Sequence, residues 1–158
     1  MTVTERSVTS RNGYAWDITV QASTIEQWRK EVAEAVRALG GDPEAVAVAR
    51  LGASELLANV LKHTDDRWCR LRVERRNDCI WIGASDRSLE VPVVTVPRWD
   101  AESGRGLWLL REMTAVLGYS CTPGGKTVWF HLPLSGPAHR GSERQGTASP
   151  QRVSGMRE

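Results

Sequence analysis

The stretch Leu51-Gly52-Ala53-Ser54-Glu55-Leu56-Leu57-Ala58-Asn59-Val60-Leu61-Lys62-His63 has the spacing of a helix with two different faces. At about 100° per residue, Glu55, Asn59 and His63 fall on one stripe, with Gly52 and Lys62 beside it. Ala49, Ala53, Leu56, Leu57 and Val60 gather about a third of a turn away and form the core face. A carboxylate, a carboxamide and an imidazole thus point together, away from the core. Taken alone, such a stripe reads as the wet side of a surface helix. Two choices disagree with that reading. Asn59 in mid-helix and Gly52 one turn before Glu55 both cost helix stability relative to alanine. Local choices that conflict with local structure are expected at functional sites.

Working outward, Asp42-Pro43 opens this helix as an N-cap followed by proline at the first helical position. Before it, Ser23-Thr24-Ile25-Glu26 has the pattern of a capping box. It starts a helix with Ile25, Trp28, Val32, Ala35, Val36 and Leu39 on one face, stopped by Gly40-Gly41. Residues Tyr14 to Val20 alternate as a strand. Arg67 to Arg76 forms another, Asn77-Asp78 turns the chain, and the apolar run Cys79 to Ala84 reads as a central strand. Residues 87–103 hold Pro92 and Pro97 and no helical stripe, which predicts a long loop. Gly104-Arg105-Gly106 leads into an apolar helix through Leu107, Leu109, Leu110, Met113 and Val116, ending at Gly118. Tyr119 to Thr122 and Thr127 to Leu132 form a hairpin around Pro123-Gly124-Gly125-Lys126.

This order predicts a two-layer α/β sandwich, a mixed sheet covered on one face by helices. The domain spans 13–134, between a flexible N-terminus (1–12) and a disordered tail (135–158) rich in Ser, Gly, Arg and Pro. The formal charge is +2, and the tail carries Arg140, Arg144, Arg152 and Arg157 against Glu143 and Glu158, which leaves the rest neutral. A neutral folded part argues against nucleic acid as the main partner. No apolar run reaches the length of a membrane span, and residues 1–7 have no signal-peptide core, so a cytoplasmic protein without membrane partners is expected. Cys69, Cys79 and Cys121 are scattered without zinc-ligand spacing and read as small hydrophobes.

Four features follow one another along the chain: Glu55-x-x-x-Asn59 on a helix, Asp86 at the end of an apolar strand, Gly104-Arg105-Gly106-Leu107 at a helix start, and Gly125-Lys126-Thr127 at a strand start. Their order resembles the GHKL-type (histidine-kinase-like) ATPase domain, the Bergerat-type ATP-binding fold shared by gyrase-type ATPases, a class of heat-shock chaperones and histidine kinases. Within it, the chain is most similar to the anti-sigma factor and serine-protein kinase branch of bacterial regulators, over roughly residues 14–134.

The resemblance implies ATP and Mg²⁺ as cofactors. It implies Glu55 as catalytic base, Asn59 as metal ligand, and Asp86 as acceptor of the adenine amino group. Gly104, Arg105, Gly106 and Leu107 would cradle the phosphates, His63 would support them or Asn59, and Thr127 would reach the adenine side. The physical reasons are general. Magnesium needs only one or two protein oxygens beside phosphates, a carboxylate one turn away can take a nucleophile's proton, and a helix N-terminus favours anions. Each feature alone has a plainer reading: wet face, strand-end aspartate, helix-start turn, hairpin turn.

The implied partners are a sigma factor and a small anti-anti-sigma antagonist of STAS type, phosphorylated on Ser or Thr in a partner switch, with a homodimer possible for the kind. The chain departs from many relatives in following Asp86 with Arg87-Ser88-Leu89-Glu90, where they have glycines, which puts tight nucleotide affinity in question. It has no helical hairpin with a phosphoacceptor histidine, which argues against a sensor histidine kinase. The alternative to a kinase is a non-catalytic nucleotide-binding interaction module of the same fold.

Overall fold

The computed structural model describes residues 6–90 and 116–134. Its elements are β1 (Arg6–Ser10), β2 (Gly13–Thr19), α1 (Ile25–Ala38), α2 (Pro43–His63), β3 (Trp68–Arg76), β4 (Cys79–Asp86), β5 (Val116–Thr122) and β6 (Gly125–Pro133). The strands form one sheet in the order β1-β2-β3-β4-β6-β5. Both helices are packed together on one face of it. The α/β two-layer architecture is as expected, with β4 central between β3 and β6. The sheet is not mixed, however: all five described pairings are antiparallel. Three of them join consecutive strands through short turns, which need no crossover.

The helix ends show how closely sequence and structure agree. Asp42 caps α2 by accepting a hydrogen bond from the Ala45 amide at 2.8 Å, with Pro43 behind it. At the end of α1, Gly40 takes φ +98°. There the Gly41 amide donates to Val36 and the Gly40 amide to Arg37, a paired closure of the last turn. The capping box at Ser23–Glu26 does not form. Ala22–Thr24 is a short 3-10 turn, and the Thr24 hydroxyl donates to the Gln21 carbonyl instead.

Two boundaries differ from expectation. A strand, β1, pairs with β2 from Arg6↔Asp17 to Ser10↔Gly13, ahead of the domain start read at residue 13. Val116 to Gly118, expected as the end of a helix, belong to β5. Gly118 does not cap a helix. A Cβ there would stand 2.6 Å from the Trp129 ring, so the residue makes room for an indole on the neighbouring strand.

The two sheet faces carry different cargo, because side chains alternate along each strand. The helix-covered face buries Ile18, Leu71, Val73, Ile80, Ile82, Phe130 and Leu132 beneath α1 and α2. Trp16 and Trp28 pack there at 6.0 Å between rings. The other face holds Trp81 and Trp129, buried with no helix above them among the described residues. Arg72 and Arg76 lie over the Trp81 ring at 4.7 and 4.4 Å, so guanidinium groups cover that indole.

Candidate functional site

Two elements, α2 and the β4–β6 pair, carry the predicted residues that are described. α2 lies over β4 and β6, and its approach is set by Gly52. A Cβ at Gly52 would meet the Phe130 ring at 2.2 Å, so the helix backbone rests on that ring. Gly52 is therefore a packing residue, not part of an open stripe. The C-terminal end of α2 points towards the end of β4. His63 Nδ1 sits 3.6 Å from Glu90, just after β4, and Arg87 pairs with Asp66, just after α2, at 2.7 Å.

Glu55 and Asn59 are half-buried one turn apart on the flank of α2, while Leu56, Leu57 and Val60 beside them are fully in the core. Partial loss of water pushes the Glu55 carboxyl above its usual range, and Lys62 opposes this less strongly. Among the described residues, neither side chain has a hydrogen-bond partner. His63 is exposed and faces Glu90.

Asp86 ends the row Ile80, Ile82, Ala84, Asp86 on the helix-covered face of β4. It is 7 % exposed, and its cross-strand partner Lys126 is 5 % exposed. The Lys126 ammonium donates to both carboxylate oxygens, at 3.1 Å each. The Ser88 amide donates to Oδ1 at 2.9 Å, which curls the chain after β4. Gly125 makes the pairing possible. A Cβ there would stand 1.9 Å from the Asp86 carbonyl oxygen, so only glycine lets β6 begin so close to the end of β4. Cys69 on β3 is buried nearby, and burial together with the Asp86 charge pushes its thiol far up, so it stays an inert thiol.

Thr127 lies on the other side of the sheet from Asp86. Strand alternation turns it to the face opposite Asp86, where its hydroxyl pairs with Ser85 at 2.7 Å. It does not reach the side on which Asp86 lies. Gly104, Arg105, Gly106 and Leu107 lie outside the described residues, as does most of the loop 87–103. Lys126 is the residue that sequence reading missed, having been assigned to a turn. The signal was available: it shares the strand row of Val128, Phe130 and Leu132, and a cation on a core row demands a buried partner.

With this geometry in view, comparison with known families gives one match. The model of the histidine kinase-like ATPase domain matches residues 18–132, more than half of the chain. The chain belongs to the histidine kinase-like ATPase family. No curated protein matches it. Membership makes this an ATP-binding domain, and the described residues supply six strands and two helices of the histidine kinase-like ATPase fold. No helix among the described residues is long and apolar enough to cross a membrane. Among the described residues no cluster of three or more His, Cys, Asp or Glu side chains is placed to hold a metal.

Proposed function

We propose that this chain is an anti-sigma regulator that binds ATP and Mg²⁺, sequesters a sigma factor, and phosphorylates a serine or threonine of a STAS-type antagonist. The observation that carries the reading is the pair Glu55 and Asn59, one turn apart and half-buried on α2, on a helix whose end meets the strand end bearing Asp86. Glu55, held above its usual range by desolvation, is a better proton acceptor than an exposed carboxylate. It would take the hydroxyl proton as the acceptor oxygen bonds to the γ-phosphorus and the bridging oxygen leaves with ADP. The Asn59 carboxamide oxygen fits a magnesium ligand, and the ion supplies charge neutralisation at the phosphates when bound. Asp86 would read the adenine amino group, and Gly104, Arg105 and Gly106 would hold the phosphates at a helix start.

The test is transfer of labelled γ-phosphate from ATP to candidate antagonist proteins of the same organism. Wild type transfers label. Glu55→Ala binds nucleotide but loses transfer by about a hundredfold or more, and Asn59→Ala loses Mg²⁺-dependent binding measured by calorimetry. Equal transfer by Glu55→Ala removes it as base, and unchanged affinity in Asn59→Ala removes it as ligand.

A second reading is favoured by one observation: Asp86 is already satisfied by Lys126 and the Ser88 amide. In that reading the chain is a non-catalytic interaction module, and ATP binding without transfer to any candidate supports it.

A further inference from the structure

The Asp86–Lys126 pair has a consequence for the nucleotide itself. We propose that Lys126 is an internal occupant of the purine-reading position, so that nucleotide gains Asp86 only by displacing the lysine ammonium. This rests on the reading of Asp86 as the adenine acceptor. The ammonium engages both oxygens of a carboxylate that is buried with it. An adenine amino group offers the same kind of donor, an N–H aimed at a carboxylate oxygen, but without the charge. The two therefore compete for one acceptor, and the resident has the stronger, charge-assisted bonds.

The choice of residue supports this. The chain has 21 basic residues and only three are lysines, Lys30, Lys62 and Lys126. Lys30 and Lys62 are exposed. The one lysine in the core sits opposite Asp86, held there by the Gly125 approach to the Asp86 backbone. An arginine fork would hold a buried carboxylate more rigidly. An ammonium on a flexible four-carbon stem is a compact point donor that can withdraw along its stem. Such a residue sets affinity and base discrimination: what the purine 6-amino group gains at Asp86 is offset by the lysine bonds it breaks, so net binding comes from the phosphates, the metal and stacking.

The experiment compares ATP with purine riboside triphosphate, which is ATP without the 6-amino group, by calorimetry with Mg²⁺. The proteins are the full-length wild type and Lys126→Met. Wild type is expected to bind the two nucleotides within about threefold of each other. In Lys126→Met, ATP is expected to bind about tenfold tighter than to wild type, with the amino-free nucleotide changing little, because Asp86 now accepts from the base. A wild type that prefers ATP by about tenfold or more overturns the proposal without any variant, so a misfolded Lys126→Met does not leave it standing. Equal or weaker ATP binding by a folded Lys126→Met, checked by thermal melting, also overturns it. Failure of both proteins to bind either nucleotide removes the nucleotide reading of the site, and the proposal with it. Binding without the change in discrimination removes the proposal alone.

Discussion

The two carboxylates of the site stand in opposite conditions. Asp86 is sealed: buried, paired with a cation through both oxygens, and bonded to a backbone amide. Glu55 is half-open, loses part of its hydration, and has no hydrogen-bond partner among the described residues. One side chain is fixed before any ligand arrives, and the other keeps unsatisfied hydrogen-bonding capacity. A group already saturated adds little to ligand binding, whereas a desolvated, unpaired one gains most when a donor or proton reaches it.

Breaking the sealed half gives the largest effect on stability. Asp86→Ala leaves the Lys126 ammonium buried without its partner and is expected to cost about 3–5 kcal/mol in urea unfolding. Replacing both, as in Asp86→Leu with Lys126→Met, recovers most of that loss, since two apolar groups of similar volume carry no desolvation cost. A single variant no less stable than wild type breaks the claim that the pair is sealed.

The next effect tests how the open half is positioned. Gly52→Val drives a side chain into the Phe130 ring and is expected to cost about 1–3 kcal/mol. It also lifts the Glu55–Asn59 flank from the sheet, so nucleotide affinity falls further than stability alone explains. Unchanged affinity in a folded Gly52→Val would show that the height of α2 does not matter to the site.

Glu55→Gln sharpens the contrast through pH. Because burial raises the folded-state value of the Glu55 carboxyl, the fold favours its protonated form. That contribution is complete below the unfolded value, at about pH 4, and is lost as pH rises through the raised value. Glu55→Gln is therefore expected to melt level with wild type near pH 4 and above it at pH 7–8. A difference that does not change with pH would contradict the desolvated carboxyl. The smallest effect falls at the rim. His63→Ala removes an exposed approach to Glu90 and is expected to change stability by less than about 1 kcal/mol, less still at high salt.

The fold was legible where periodicity is strong. The apolar faces of both helices, the N-cap at Asp42, the Asn77-Asp78 turn and the central run Cys79 to Ala84 all follow from spacing and turn chemistry. Misreadings arose where one residue type serves two purposes. Gly118 reads as a helix stop, but its missing side chain admits the Trp129 ring from another strand. Gly52 reads as a functional oddity on a polar stripe, but its absent Cβ is filled by Phe130. Both depend on a neighbour distant in sequence. In the site, helix spacing alone brought Glu55 and Asn59 together. The face of Thr127 and the pairing of Lys126 depended on one step of strand register, which a turn assignment obscured.

The contrast is tested most directly by observing the Lys126 ammonium itself. With only Lys30, Lys62 and Lys126 in the chain, nitrogen-labelled lysine gives few ammonium signals in NMR, and Lys126→Met assigns the one of interest. The account predicts a Lys126 signal protected from water exchange in the nucleotide-free protein, which moves to rapid exchange, like that of exposed Lys30, as Mg²⁺ and ATP saturate the site. ATP binding that leaves the Lys126 signal unchanged would contradict it.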